Sequence, residues 1–93
     1  MIKRIYSIRD TKAEAFLKPF YLPNDNTAIR AVSDAIEQDQ EFQKHKEDYI
    51  LFQIGYFDDN TGEITSTETP NLIKTLAEIH NGNQNPQTAT LSA

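Results

Sequence analysis

The sequence predicts an α+β fold, a small antiparallel sheet with two helices in the order β-β-α-β-β-α. Three observations lead to this prediction. A long apolar run at 49–57 precedes an Asp/Asn/Gly turn, apolar residues recur at helical spacing over 27–38, and Thr69-Pro70 is typical of a helix start. With 93 residues the chain is one domain, predicted over 1–82, and the polar stretch 83–93 is predicted to be a disordered tail.

The N-terminal third predicts a strand at 2–8, because Ile2, Ile5 and Ile8 are good strand formers. Residues 15–22 are rich in aromatics but contain Pro19, which cannot donate to a sheet, so they form an edge strand or an extended packed loop. Phe16 and Phe20 would share one face of that segment and belong to the core. The turn cluster 23–26 supplies the N-cap of the first helix, and a further turn pinned by Phe42 follows that helix.

The apolar run has two faces. Ile50, Phe52, Ile54 and Tyr56 form a uniformly apolar face, which predicts that these side chains are core. The opposite face is mixed, as in a central strand that is half covered on that side. Its members are Tyr49, Leu51, Gln53, Gly55 and Phe57.

The glycines and the residues after this strand complete the prediction. Gly55 indicates either a close backbone approach or a bulge, and Gly62 is expected at positive φ in the hairpin loop 58–62. The chain then returns as a polar edge strand over 63–68 in which only Ile64 is buried. The second helix starts at Thr69-Pro70 and ends at Asn81-Gly82.

Composition excludes several classes of site. The chain has no cysteine, hence no disulfide and no cysteine-ligated metal, and no apolar run long enough for a membrane span. The acidic loop 58–63 lacks the glycine and glutamate spacing of a calcium loop, and both histidines, His45 and His80, are expected to be structural or surface residues. We therefore predict no catalytic residue, no metal site, no cofactor and no enzymatic activity.

The charge is unevenly distributed. The net charge is −5, yet residues 1–21 hold five cations and two carboxylates, a local balance of +3. This asymmetry indicates a basic patch for a polyanion, self-association between unlike surfaces, or ordinary mixing of surface charge. Cations interleaved with aromatics suit single-stranded nucleic acid, since charges track phosphates and rings stack on bases. The candidate contacts are Lys3, Arg4, Arg9, Lys12 and Lys18 to phosphates, with Tyr6 and Tyr21 to bases.

Several strings together resemble the small nonstructural protein of gokushoviruses, the single-stranded-DNA phages of the Microviridae. They are YSIRDTKA at 6–13, FLKPF at 16–20, AIR at 28–30, DA at 34–35, FQKHKEDY at 42–49, IGYFD at 54–58 and TG at 61–62. Lys46 departs from the family, where proline is expected, and indicates a longer helical turn here. The resemblance implies a non-capsid role in viral DNA replication, at the switch to single-stranded synthesis for packaging. It supplies no catalytic residues.

Two hypotheses follow. The first is a phage accessory protein of the host cytoplasm that binds single-stranded DNA, as a homo-oligomer, since the domain is small and has unpaired strand edges. The second is an interaction module for a host or viral replication protein, without DNA contact, that offers the edge strand 63–68 to a partner. A virion component is a third reading. No membrane partner is expected.

Overall fold

The structure, a computed structural model, describes residues 1–83 of the chain. Its elements are β1 (Ile2–Asp10), β2 (Ala15–Phe16), β3 (Phe20–Leu22), α1 (Asp25–Gln38), α2 (Gln40–Lys44), a 3-10 turn (Lys46–Asp48), β4 (Tyr49–Asp58), β5 (Ile64–Thr75) and α3 (Leu76–Asn83). The predicted α+β class with an antiparallel sheet is confirmed, with five strands and three helices rather than four strands and two helices. The predicted tail lies outside the described residues except for its first residue.

β1 and β4 form the centre of an antiparallel sheet. β4 pairs with β1 on one side and with β5 on the other, and both β2 and β3 pair with the remaining side of β1. Pro19 interrupts the ladder between β2 and β3, as a residue without an amide proton must. The intervening segment stays attached to β1, because the Leu17 amide donates to the Ile8 carbonyl at 2.7 Å.

The core lies between one face of the sheet and the helices. On the sheet side, Tyr6 and Leu51 are fully buried. On the helix side α1 contributes Val32 and Ile36, because apolar residues three and four apart share one face of a helix. The other core residues are Ile8, Ala28, Tyr49, Leu76 and Ile79.

One pair of polar side chains sets the helix boundaries at α1 and α2. The Asn24 side-chain oxygen accepts a hydrogen bond from the Thr27 amide at 2.9 Å, which confirms the predicted N-cap. Asp39 ends α1 in an extended conformation, and its carboxylate then accepts from the Glu41 amide at 2.9 Å to start α2. The predicted extra turn around Phe42 is confirmed, and its ring packs on Tyr49 with centroids 4.9 Å apart.

The predicted core face of β4 is wrong. Before the register shift in β4 the helices cover the mixed face, on which Tyr49, Leu51 and Gln53 are buried, whereas Ile50, Phe52 and Ile54 of the uniformly apolar face are only partly buried. Gln53 tolerates burial because its side-chain amide donates to the Gly55 carbonyl at 3.2 Å. Both faces of β4 are mostly apolar, so the alternation of its side chains does not indicate which face the helices cover.

The start of the second predicted helix is also wrong. Residues 69–75 continue β5, and α3 begins only at Leu76. The true start is a reciprocal capping pair: the Glu78 amide donates to the Thr75 hydroxyl at 3.0 Å, and the Thr75 amide donates to the Glu78 carboxylate at 2.9 Å. Ile64, predicted to be buried in this strand, is 62% exposed because β5 is the outermost strand.

Gly55 occupies a point where strands crowd together. A Cβ at Gly55 would lie 2.6 Å from the Thr65 carbonyl oxygen. The register of β4 also shifts next to Gly55, both against β1, between Ile5 and Tyr6, and against β5. Both the close approach and the bulge that the sequence allowed are therefore present. Gly62 has φ +78°, which confirms the predicted turn, and its amide donates to the Asp58 carbonyl at 2.7 Å.

Candidate nucleic-acid interface

The sheet has one face away from the helices, which we call the open face. On β1 its side chains are those of Lys3, Ile5, Ser7 and Arg9, since they alternate with the core residues of that strand. Cross-strand pairing brings Phe52 beside Ser7 and Phe57 beside Lys3. The open face is therefore apolar and aromatic with cations among its rings.

Two aromatic pairs stand on the open face. Phe16 of β2 meets Phe52 of β4 edge to face with centroids 5.5 Å apart, and the Arg9 guanidinium lies 5.4 Å from the Phe16 ring centre. Tyr21 of β3 meets Phe57 of β4, also at 5.5 Å. We call these residues, with Lys3, the aromatic patch: Lys3, Arg9, Phe16, Tyr21, Phe52 and Phe57.

Three of the seven residues that the sequence proposes for DNA contact belong to the aromatic patch. Lys3 and Arg9 are partly exposed, and Tyr21 is 48% exposed, which leaves part of its ring free to stack. Lys12 and Lys18 are exposed in the segments that join β1 to β2 and β2 to β3. These two lysines border the sheet without lying in its ladder.

The structure removes the other two candidates, Arg4 and Tyr6, from the open face. Tyr6 is fully buried in the core, where its hydroxyl donates to the Asp25 carboxylate at 2.6 Å and its ring stacks on Phe20. Arg4 points to the same side and donates to Asp25 at 3.2 Å. Burial, and then the bond to the carboxylate, raise the pKa of Tyr6 well above its usual range. Tyr6 is thus a structural residue that has no ring face for a base.

Sequence reasoning missed three residues of the aromatic patch. Phe16 was assigned to the core together with Phe20, but only Phe20 packs against the core, while Phe16 is 40% exposed. Phe52 was also assigned to the core, and Phe57 was given no role. For Phe52 the signal that was present is the pair of apolar faces on β4, because one sheet layer with helices on one side leaves the second face uncovered. Phe57 comes to the open face only because the register of β4 shifts at residues 53–55, and Gly55 was the one sign of that bulge in the sequence.

Charge separates the two sides of the molecule. Residues 25–48, which hold α1, α2 and the 3-10 turn, carry seven carboxylates and three cations, whereas residues 1–21 carry five cations and two carboxylates. Residues 49–83, which include β4 and β5, carry five carboxylates and one cation. The basic part of the sheet is therefore β1 to β3, which bear Lys3, Arg9, Phe16 and Tyr21, and the helical layer is acidic. A polyanion would be attracted to the first and repelled by the second.

The histidines and carboxylates form no further arrangement that we assign to chemistry. His45 is exposed; its Nε2 lies 3.8 Å from the Glu41 carboxylate, and its Nδ1 lies 3.9 Å from the Asp48 carboxylate. His80 lies 3.8 Å from Glu37. Over residues 1–83, no three His, Asp or Glu side chains are grouped so that they could hold a metal ion. Within the same range no helix is long and apolar enough to cross a membrane.

Comparison with known proteins gives one match. The model of a family described as Phage ORF5 protein matches residues 3–79, which include the first half of α3 and the whole sheet except Ile2. No curated protein matches the chain, and no solved structure does. The match covers the whole aromatic patch and the core beneath it.

Proposed function

This chain belongs to the Phage ORF5 protein family, and we propose from that premise that it is a nonstructural accessory protein that binds single-stranded DNA during phage DNA replication. We propose further that the phage is of the gokushovirus type, because the sequence strings over residues 6–62 resemble the small nonstructural protein of gokushoviruses. The protein would act in the host cytoplasm, without enzymatic activity or cofactor, at the switch from duplex replication to single-stranded synthesis.

One observation carries this proposal: the open face presents rings and cations together. Arg9 lies over Phe16, and Lys3 stands across from Phe57, so each aromatic pair has a cation beside it. Proteins that hold single strands without reading their sequence combine aromatic stacking with cations that follow the phosphates. The aromatic patch offers both within one surface.

The patch favours single strands over duplex DNA for a geometric reason. In a duplex the ring faces of the bases are stacked on one another, so Phe16 and Tyr21 could reach them only after the bases had been unstacked. An unpaired strand exposes those faces, and each stacked base contributes roughly 1–3 kcal/mol. A duplex would gain only the phosphate contacts, which every nucleic acid provides.

Fluorescence anisotropy with a labelled oligo-dT and a duplex of equal length, across a salt series, tests the proposal. We expect micromolar or tighter binding of the single strand, weaker binding of the duplex, and affinity that falls steeply with salt. The double variant Lys3→Glu/Arg9→Glu should abolish measurable binding. The double variant Arg30→Glu/Lys44→Glu is the matched control, because it makes the same change in net charge at two exposed cations of α1 and α2, away from the open face, and should leave the affinity nearly unchanged. Equal affinity of the Lys3/Arg9 variant at low salt would refute the proposal.

The outer edge of β5 favours a second candidate function, a protein-interaction module. β5 has twelve residues, is the last strand of the sheet, and has no described strand on its outer side. Such an edge can accept a strand from a partner, here a viral or host replication protein or a second copy of this chain. Pull-down with and without nuclease separates this candidate from the first, and light scattering over a range of concentrations tests self-association. A monomer mass at every concentration would contradict the homo-oligomer.

A further inference from the structure

A trough of about 270 Å³ crosses the open face next to the aromatic patch. Ile5 of β1 and Ile54 and Gly55 of β4 form its floor, Tyr21 and Pro19 form one wall, and the start of β5 forms the other. The second wall consists of Ile64, Thr65 and Ser66. Ser66 lies across from Gly55 and has its hydroxyl on this face, whereas Thr65 alternates with it and contributes its backbone. The trough is thus apolar at its base, aromatic on one side and polar at one rim.

We propose that this trough holds one unpaired nucleobase, which stacks on Tyr21 while its edge faces the Ser66 hydroxyl of β5. The inference rests on the proposed function and deepens it, because it names where on the open face a base lies and what surrounds it. Stacking on a ring is tolerant of base identity, so the site takes any unpaired base rather than one in particular.

The size of the trough fits this occupant. Pockets for drug-sized ligands span about 300–1,000 Å³, so a volume of about 270 Å³ is suited to a single flat ring with part of its sugar. A phosphate alone would find no cation in the lining, whose side chains are apolar, aromatic or hydroxyl. The cation that would contact the phosphate of a bound nucleotide is Lys3, outside the trough. Lys3 pairs with Phe57 across the strands, and Phe57 packs on Tyr21.

Gly55 sets the distance between floor and wall. With no side chain there, the Thr65 carbonyl approaches to 2.6 Å from the place that a Cβ would occupy. β5 can therefore lie close to β4 at this point and turn Ser66 toward the trough. A larger residue at Gly55 would push β5 outward and widen the slot beyond the thickness of one base.

A tryptophan reporter tests the inference, because the chain has no tryptophan of its own. In the Tyr21→Trp variant, oligo-dT should quench the indole fluorescence, while an abasic oligodeoxyribose of equal length should not, although its phosphates are the same. Anisotropy run on the same samples reports binding independently. If oligo-dT binds in anisotropy but causes no quenching, and the abasic strand binds equally well, the trough holds no base and only the further inference fails. If oligo-dT does not bind at low salt, the proposed function fails and the inference with it.

Filling the trough from its other wall gives a second test that keeps Tyr21 intact. Ser66→Trp places a bulky ring in the slot without changing charge, and we expect a loss of about tenfold in affinity for oligo-dT. The slope of affinity against salt should stay the same, since no phosphate contact is removed. Asn71→Trp is the matched control on the same strand, exposed and outside the trough, and should bind as the wild type does. Equal affinities of the two variants would overturn the inference.

Discussion

Replacement of Tyr6 by phenylalanine measures how far this residue is structural. The change removes one hydroxyl from a fully buried ring and with it the 2.6 Å bond to the Asp25 carboxylate. A hydrogen bond to a charged group contributes about 1.5–3 kcal/mol. Asp25 is left with Arg4 at 3.2 Å and with solvent, since its side chain is 40% exposed, so the cost lies near the lower limit, at about 1.5 kcal/mol.

The assay for Tyr6→Phe is urea denaturation followed by circular dichroism, with Tyr56→Phe as the control. Tyr56 is 39% exposed, and loss of its hydroxyl should change the free energy of unfolding by less than about 0.5 kcal/mol. In thermal melts the Tyr6 variant should lose roughly 6–12 °C in Tm. If both variants unfold like the wild type, the hydrogen bond from Tyr6 to Asp25 contributes nothing to stability and the structural role given to this hydroxyl is wrong.

The same variant has a pH signature. Because the pKa of Tyr6 is raised above its ordinary value of 10.0, the unfolded chain loses this proton first as pH rises. The contribution of Tyr6 to stability is therefore complete below about pH 10 and is lost progressively above it. The wild type should lose stability more steeply than Tyr6→Phe between about pH 9 and 11. A residual decline remains in the variant, because burial also raises the pKa of Tyr49. Parallel curves for the two proteins would contradict the reasoning.

Further predictions concern Gly55, Gly82 and Thr75. Gly55→Ala should cost about 1–3 kcal/mol in urea denaturation, because its Cβ would lie 2.6 Å from a backbone oxygen that can move only with β5. Gly82→Ala is the control, since a Cβ there meets no atom within 4 Å, and it should be neutral or stabilise α3 by up to about 1 kcal/mol. If Gly82→Ala lowered the free energy of unfolding more than Gly55→Ala does, the pairing of β4 with β5 described here would be wrong. Thr75→Ala should cost about 1 kcal/mol through loss of the cap, and unaltered stability would remove Thr75 as the start of α3.

Helix signals that act locally were predictable from the sequence. Asn24 as the N-cap of α1, the break at Asp39 and the positive φ of Gly62 all depend on side chains within a few residues. The start of α3 was mistaken because Thr69-Pro70 is a strong signal for a helix start and Thr75 with Glu78 is an equally good one further along. Pairing with β4 decided between them, and pairing is not local.

The burial of β4 could not be predicted from its own residues. Ile50, Phe52 and Ile54 look more apolar than Tyr49, Leu51 and Gln53, yet the helices cover the second set. The choice depends on which side of the sheet the connection from β3 through α1 to β4 crosses, and a single strand does not contain that information. The same uncertainty hid part of the aromatic patch, because Phe52 was assigned to the core on that ground.

The candidate site was predicted in part. Lys3, Arg9 and Tyr21 were found because cations and rings alternate along the N-terminal residues. Tyr6 was included for the same reason. The structure excludes it, because side chains alternate along β1 and Tyr6 lies on the other face of the sheet from Lys3 and Arg9. Charge balance along the chain was informative, because the basic segment and the acidic helices end on different layers of the fold.

The most direct test of the central claim is to map oligo-dT onto the protein by amide chemical-shift changes in two-dimensional NMR spectra, for which a 10.6 kDa chain is well suited. We expect the largest changes at Phe16, Tyr21 and Phe52 on the open face, with α1 and α2 unchanged. Changes confined to the helical layer, or spread evenly over both layers, would contradict DNA binding by the open face.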